Sequence, residues 1–441
     1  MIAILGAGIT GLTAAYYIQK AGLPVVILEK SDTPGGNIRT LQKGPYLLET
    51  GPNTLQLNDA LFEFLTETEF VDNIQYALPE AKYRYILKNN RYQRLPSSPL
   101  SLLFSRFFSW KAKRSITREP KVPFLEVPDE TMDQFCRRRF GDEVTDYVVT
   151  PFVSGIYAGD PRQLLVDEAF PRLKEWEKTQ GSVIKGFSLA AKANQHKGTF
   201  AFRGGIGELS RHLGDKVKIH YGTEVLSVKK QETGFLIETN TIPVEASHVI
   251  STVPAHTAAT LFQELSPEFS AALGAIEYPP VSVVHTAYKK SNVGQHLKGF
   301  GALHPPSEQA FSLGTLFTST IFEGRCPDDE VLYTTFVGGI RHPERAMQPD
   351  GKLKEGVRND LGKFLEVQGD PAFQSVIRWP KAIPQYNKTI TGYKPFLEGL
   401  SQQGLLFGGN WAGGVAVGSC VERGRELAAS VVKKATFLTA E

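Results

Sequence analysis

The chain opens with a constraint that few folds can meet. Ile2-Ala3-Ile4-Leu5, a short apolar run, passes directly into Gly6-Ala7-Gly8-Ile9-Thr10-Gly11. A strand ending in G-x-G-x-x-G predicts a tight turn at Gly6, backbone approach to a pyrophosphate at Gly8, and close packing of the next helix at Gly11. The N-terminus of that helix offers unpaired N–H groups and the positive end of its dipole to an anion. Good helix formers from Leu12 to Ala21 stop at Gly22, and Pro24 introduces a second apolar run, Val25-Val26-Ile27-Leu28, closed by Glu29. An acid at that place accepts from a ribose hydroxyl and repels a 2′-phosphate, which favours NAD or FAD over NADP. Strand, turn, helix, strand and acid arrive in order. Residues 6 to 11, with Glu29 and Lys30, are therefore the first predicted dinucleotide contacts.

At 441 residues the chain exceeds one ordinary core, and a prior of roughly 150 residues per domain gives two or three. A net charge of +3 is too small to identify a partner, so charge has to be read locally. Cys136, Cys326 and Cys420 are odd in number, far apart and outside any C-x-x-C spacing, which argues against a disulfide framework or a zinc site and for a reducing compartment. The nine histidines show no metal-ligand spacing, and no G-x-S-x-G, H-E-x-x-H or Walker loop occurs. Hydrolase and metalloenzyme readings lose their support. With a strand starting at Ile2 and no apolar run of about 18 residues, we expect no signal peptide, no membrane span and a cytoplasmic protein.

Residues 81 to 118 carry ten Lys or Arg and neither Asp nor Glu. Within them Leu100, Leu103, Phe104, Phe107 and Phe108 fall at i, i+3, i+4, i+7 and i+8, predicting one amphipathic helix. A basic, aromatic helix suits a membrane interface. The same stripe suits packing on the protein itself, and nucleic acid fits less well because the aromatics do not interleave with the charges. From Val127 to Lys192 the pattern is mostly helical, with Phe135, Phe140, Val144 and Tyr147 as core candidates.

Farther along the chain, Gly35-Gly36-Asn37-Ile38-Arg39-Thr40 resembles the turn of the amine oxidase and phytoene desaturase flavoprotein superfamily, whose arginine lies close to FAD. Glu49-Thr50-Gly51-Pro52-Asn53-Thr54 resembles a segment of the protoporphyrinogen oxidase family that passes beside the flavin ring. Phe152 to Asp160, Gly314 to Phe317, Leu332 to Gly339, and Ala382-Ile383-Pro384-Gln385-Tyr386 are similar to further segments of that family. So is Gly408-Gly409-Asn410-Trp411-Ala412-Gly413-Gly414-Val415-Ala416-Val417, a loop that opens the last helix.

The resemblance implies an α/β fold in which an FAD-binding Rossmann-like domain joins a mixed-sheet substrate domain and an inserted helical, membrane-facing domain. The implied division is 1–80, 196–265 and 396–441 for FAD, 81–195 for the helical insert, and 266–395 for the substrate sheet. It also implies noncovalent FAD contacts at Gly36, Asn37, Arg39, Gly51, Pro52, Asn53, Thr54, Val225, Trp411, Val415, Ala416 and Val417. Substrate contacts are expected at Arg84, Leu316 and Leu332, with Arg84 on a propionate. The implied reaction is oxidation of protoporphyrinogen IX to protoporphyrin IX by hydride transfer from meso carbons to FAD, with dioxygen as acceptor and hydrogen peroxide as product. Such chemistry needs a positioned ring and no catalytic side chain. Coproporphyrinogen III oxidation, a flavin amine oxidase or carotenoid desaturase, and a non-catalytic protein binder like the Rab GDP dissociation inhibitors remain open. Peripheral contact with the inner face of the cytoplasmic membrane and pairing into a homodimer are both compatible with the sequence.

Overall fold

The computed structural model describes residues 1–438; the last three residues of the 396–441 segment lie outside the described residues. The two predicted opening strands, Ile2–Leu5 and Val25–Leu28, pair in parallel with Ile2 opposite Val25. They sit in a five-stranded sheet ordered Ile219–His220, Val25–Leu28, Ile2–Leu5, His248–Ser251, Leu405–Phe407, with every pairing parallel. A sheet covered on both sides needs apolar residues at successive positions, which is why these strands read as unbroken runs. Ile2, Ile4, Val25 and Ile27 pack on one side with Leu12, Ile18, Val421 and Leu427 from the first and last helices, Ile9–Lys20 and Val417–Leu438. Ala3, Leu5, Val26 and Leu28 pack on the other with Val228, Phe235 and Ile237 of a three-stranded antiparallel sheet. The two helices approach closely because Gly424 has no side chain. A Cβ there would stand 2.7 Å from the Thr10 carbonyl oxygen.

The second large sheet has seven strands, ordered Phe373–Trp379, Val281–Lys289, Glu330–Gly338, Gly314–Leu316, Gly301–Leu303, Arg84–Lys88, Arg91–Arg94. One of its faces is sealed by helix Asp350–Leu365, through Leu353, Val357, Leu361 and Leu365 against Val284, Tyr333 and Val337. The opposite face lies on the hairpin Thr40–Lys43/Tyr46–Glu49. Tyr46 stacks on Phe373 at 4.2 Å between ring centroids, Lys43 donates to the Ser375 hydroxyl (2.9 Å), and the Trp379 indole N–H donates to the Thr50 carbonyl (2.7 Å). Because Arg84–Lys88 and Arg91–Arg94 complete this sheet, the helical segment begins after residue 94 and not at 81.

Helices then run from Pro99 to Ala193. Met132–Phe140 starts at a capping box of Thr131 and Gln134, and its Arg138 and Arg139 meet Glu130 and Glu177 in a largely buried ion cluster that Glu119 and Lys174 complete. The single amphipathic helix expected over 100 to 108 is instead two: Pro99–Phe104 ends at Ser105, and Trp110–Arg118 follows. Phe107 and Phe108 turn inward against Ile86, Ala112 and Val144, whereas Leu100, Leu103, Phe104 and Trp110 stay exposed. Tertiary packing thus divides the stripe. Among the described residues no helix is long and apolar enough to cross a membrane.

Candidate functional site

The glycine fingerprint is folded as its spacing requires. Gly6 holds φ +94°, and a Cβ on Gly11 would collide with the Gly6 carbonyl oxygen at 2.2 Å, so the helix can sit this close to the strand only with glycine there. Nothing lies within 4 Å of a Cβ built on Gly8. Open space beside bare backbone at a helix N-terminus is what a pyrophosphate needs. Ala7, Ile9 and Thr10 are buried around it. Glu29 is also buried, and its carboxylate accepts the Ala7 N–H (2.7 Å) and the Ser31 N–H (2.9 Å), so it is held beside the glycine turn; Lys30 is exposed next to it. The Thr223 N–H donates to the Glu29 carbonyl (2.9 Å), which brings the strand beginning at Val225 to the same edge.

The second glycine pair joins this cradle. The Gly35 N–H donates to the Ala7 carbonyl (2.8 Å), Gly35 bridges Gly8, and Gly36 sits against the Gly8 Cα. Asn37 and Gly51 touch: a Cβ on Gly51 would stand 2.0 Å from the Asn37 carbonyl oxygen. The Thr50 N–H donates to the Arg39 carbonyl (2.9 Å), while the exposed Arg39 guanidinium donates to the Ser31 hydroxyl (3.2 Å). Gly51, Pro52, Asn53 and Thr54 line up half-buried, and Asn53 Oδ1 is buried with no hydrogen-bond partner. A buried orphan acceptor beside bare backbone fits a ligand with N–H donors, as a flavin ring has. Under this segment the Glu49 carboxylate accepts the Thr40 hydroxyl (2.7 Å) and the Ile206 N–H (2.9 Å); burial raises its pKa against those hydrogen bonds.

The glycine-rich loop before the last helix is held by its tryptophan. Trp411 is fully buried, donates its indole N–H to the Val253 carbonyl (3.0 Å), and packs edge-on against Tyr393. Its side chain anchors the loop, with Val415 half-buried and Ala416 exposed before the helix start, whereas Val417 packs into the core.

On the substrate sheet, register decides which residues share the open face. Ser375, His285, Thr334, Leu316, Gly301 and Arg84 are neighbours along one rung, and Ile377, Val283, Phe336, Gly314, Leu303 and Ile86 along the next. Side chains two apart in each strand point the same way, so both rungs share one face, which lies on the flavin-side hairpin at its Phe373–Trp379 end and on the helices at its Leu303 and Ile86 end. Across them Ile377, Phe336, Leu316 and Leu303 form a half-buried apolar strip that ends at Arg84. Arg84 is exposed at the surface, its guanidinium lies over the Phe300 ring, 4.7 Å from the centroid, partial desolvation lowers its pKa, and it makes no ion pair among the described residues. Leu332 is not on the strip. It lies one rung beyond Thr334, where Tyr46, Leu48 and Ala287 enclose it, and it has 0% exposure. A ligand contact at Leu332 is therefore corrected to core packing, and Leu303, Phe336 and Ile377 are the residues that the sequence reading missed. Leu332 and Phe336 share a face by alternation. Only the pairing of Phe336 with Gly314 separates them.

A model of the flavin containing amine oxidoreductase family matches residues 9–432. The protoporphyrinogen oxidase of Nicotiana tabacum chloroplasts is 33% identical over 470 residues, covering 97% of this chain and 84% of that one. The human protoporphyrinogen oxidase is 28% identical and covers 98% of each chain. A solved chain from Exiguobacterium sp. 255-15 superposes with a TM-score of 0.82 at 20% identity, over 98% of each. A UDP-galactopyranose mutase reaches 0.75 at 17% identity, so the fold by itself does not choose a substrate. The chain thus belongs to the flavin containing amine oxidoreductases, which makes it an FAD protein, on the side of that family where the protoporphyrinogen oxidases lie.

Proposed function

We propose that this protein oxidises protoporphyrinogen IX to protoporphyrin IX, passing the electrons on to dioxygen with formation of hydrogen peroxide. The observation that carries the reading is the half-buried apolar strip from Ile377 to Leu303, which ends at Arg84, a guanidinium with no ion pair among the described residues. A flat apolar macrocycle with a carboxylate at one edge matches it in shape and charge. FAD, when bound, supplies the two-electron acceptor. Leu316 and Phe336 press on the macrocycle, Arg84 takes a propionate in a planar fork, and the hairpin over Leu332 keeps solvent from that end of the strip.

Coproporphyrinogen III, which carries more propionates, is favoured by one feature. Lys82 lies over the Tyr83 ring, also without an ion pair among the described residues, and shares with Arg84 a hollow of about 470 Å³ lined by Tyr76, Leu78 and Thr199. Side-by-side turnover of the two porphyrinogens, followed by porphyrin fluorescence, separates them. Preference for coproporphyrinogen III would replace the first reading, and no porphyrin from either would remove both.

We further propose that the exposed Leu100, Leu103, Phe104 and Trp110, set among Lys and Arg, rest on an anionic membrane surface, so that a cytoplasmic protein is held peripherally.

A further inference from the structure

The loop 408–416 holds an unusual shape that its glycines do not themselves enforce. Gly409, Gly413 and Gly414 have φ of +119°, +120° and +117°, and glycine reaches such angles freely but does not prefer them. Something outside has to fix the backbone. Its first half is tied by the Trp411 indole to the Val253 carbonyl, and by the Tyr393 hydroxyl, which donates to the Trp411 carbonyl (3.3 Å). One side chain joins the two halves. The Tyr386 hydroxyl donates to the Asn410 carbonyl (2.8 Å) and accepts the Gly414 N–H (2.9 Å).

Tyr386 is itself fixed from three directions. Its ring meets Tyr157 edge-on at 5.6 Å between centroids, its carbonyl accepts the Leu165 N–H (2.8 Å), and neighbouring Gln385 donates its side-chain amide to the Tyr157 carbonyl (2.8 Å) and its N–H to the Glu277 carbonyl (2.9 Å). The phenol is buried, and burial raises its pKa, so it stays a protonated donor. We propose that Tyr386 is a positioning residue for the flavin: its one hydroxyl, by closing Asn410 onto Gly414, sets the backbone from which the helix at Val417 aims its N-terminus at the ring. The proposal rests on the FAD reading of the cradle. It adds a residue that lies outside every glycine motif and acts only through the loop.

The experiment compares holoenzyme of the wild type with Tyr386→Phe, which keeps the ring and removes only the hydroxyl. Gln385→Leu is the control, because it breaks side-chain bonds of the same segment and keeps the Tyr386 hydroxyl that bonds Asn410 and Gly414. Tyr386→Phe is expected to weaken FAD binding about ten-fold, as loss of the hydroxyl's two buried hydrogen bonds would. It should also lower the flavin midpoint potential, since a loosened helix start stabilises negative charge less, and speed amide exchange at residues 413–415. Gln385→Leu is expected to lower the melting temperature while keeping the midpoint potential of the wild type. Unchanged FAD affinity and potential in Tyr386→Phe would overturn the proposal, as would a matching potential shift in Gln385→Leu. A wild type that takes up no FAD would overturn the cradle reading first and the tether with it.

Discussion

Arg84 and Leu332 show how far single residues can be read. Arg84 was singled out from ten basic residues by the resemblance alone, and among the described residues its guanidinium makes no ion pair. Arg84→Ala should raise KM for the porphyrinogen by the equivalent of about 1.5–3 kcal/mol, the worth of a charge-assisted hydrogen bond. Flavin content should stay constant, and unaltered kinetics would remove the assignment. Leu332 was misread because period-two alternation cannot distinguish positions two or four apart on one strand. The partner strand makes the distinction by ending at Leu316, so that Leu332 falls onto Tyr46 and Leu48 while Phe336 stays open. Leu332→Ala is expected to cost about 2–5 kcal/mol of unfolding free energy as a cavity in packed surroundings, with KM nearly unchanged. Phe336→Ala should do the reverse, raising KM with little loss in melting temperature. Denaturant unfolding and steady-state kinetics on both variants check the pair.

At the scale of elements, the opening strands and first helix were written in the local code of apolar runs, glycine and proline, and they fold as expected from residue 2 to residue 28. The basic segment was legible only in part. Its apolar spacing is regular through Phe108, yet the helix stops at Ser105 because distant groups compete for its backbone and side chains. Glu143 accepts from the Ser109 N–H (3.2 Å) and from Lys88 (2.9 Å), while Phe107 and Phe108 are drawn onto Ile86 and Val144. No local pattern encodes those partners. What remains outside is a short helix with Leu100 and Phe104 exposed by 68% and 77%. The protein should sediment with anionic vesicles at low salt and come off as salt rises. Leu100→Glu with Phe104→Glu should abolish that binding and leave porphyrinogen turnover in detergent intact; vesicle binding that survives both changes would mean that another surface is used.

For the whole molecule, the substrate sheet meets the flavin segments across a face that is polar at one point. His285 is buried there, its Nδ1 3.1 Å from the Thr334 hydroxyl and its Nε2 unpartnered, and burial pushes its pKa down to about 4. The unfolded chain takes up that proton near pH 6.5, the folded chain only near 4. Stability from this residue is therefore complete above pH 6.5 and is lost as the pH falls towards 4, at up to about 1.4 kcal/mol per pH unit. Urea unfolding at several pH values should show this slope, and His285→Gln should flatten it; equal slopes in both proteins would assign the acid sensitivity elsewhere.

The flavin sheet has a consequence for how the chain is made. Ile2–Leu5 is made long before one of its neighbours, His248–Ser251, and the edge strand Leu405–Phe407 comes later still. At roughly 5–20 residues per second, the first glycine turn waits about 20–80 s for the last piece of its own sheet. A ribosome stalled before that strand holds every residue of the N-terminal fingerprint and still has no cradle to offer. Retention of the yellow cofactor thus certifies that translation has passed Phe407.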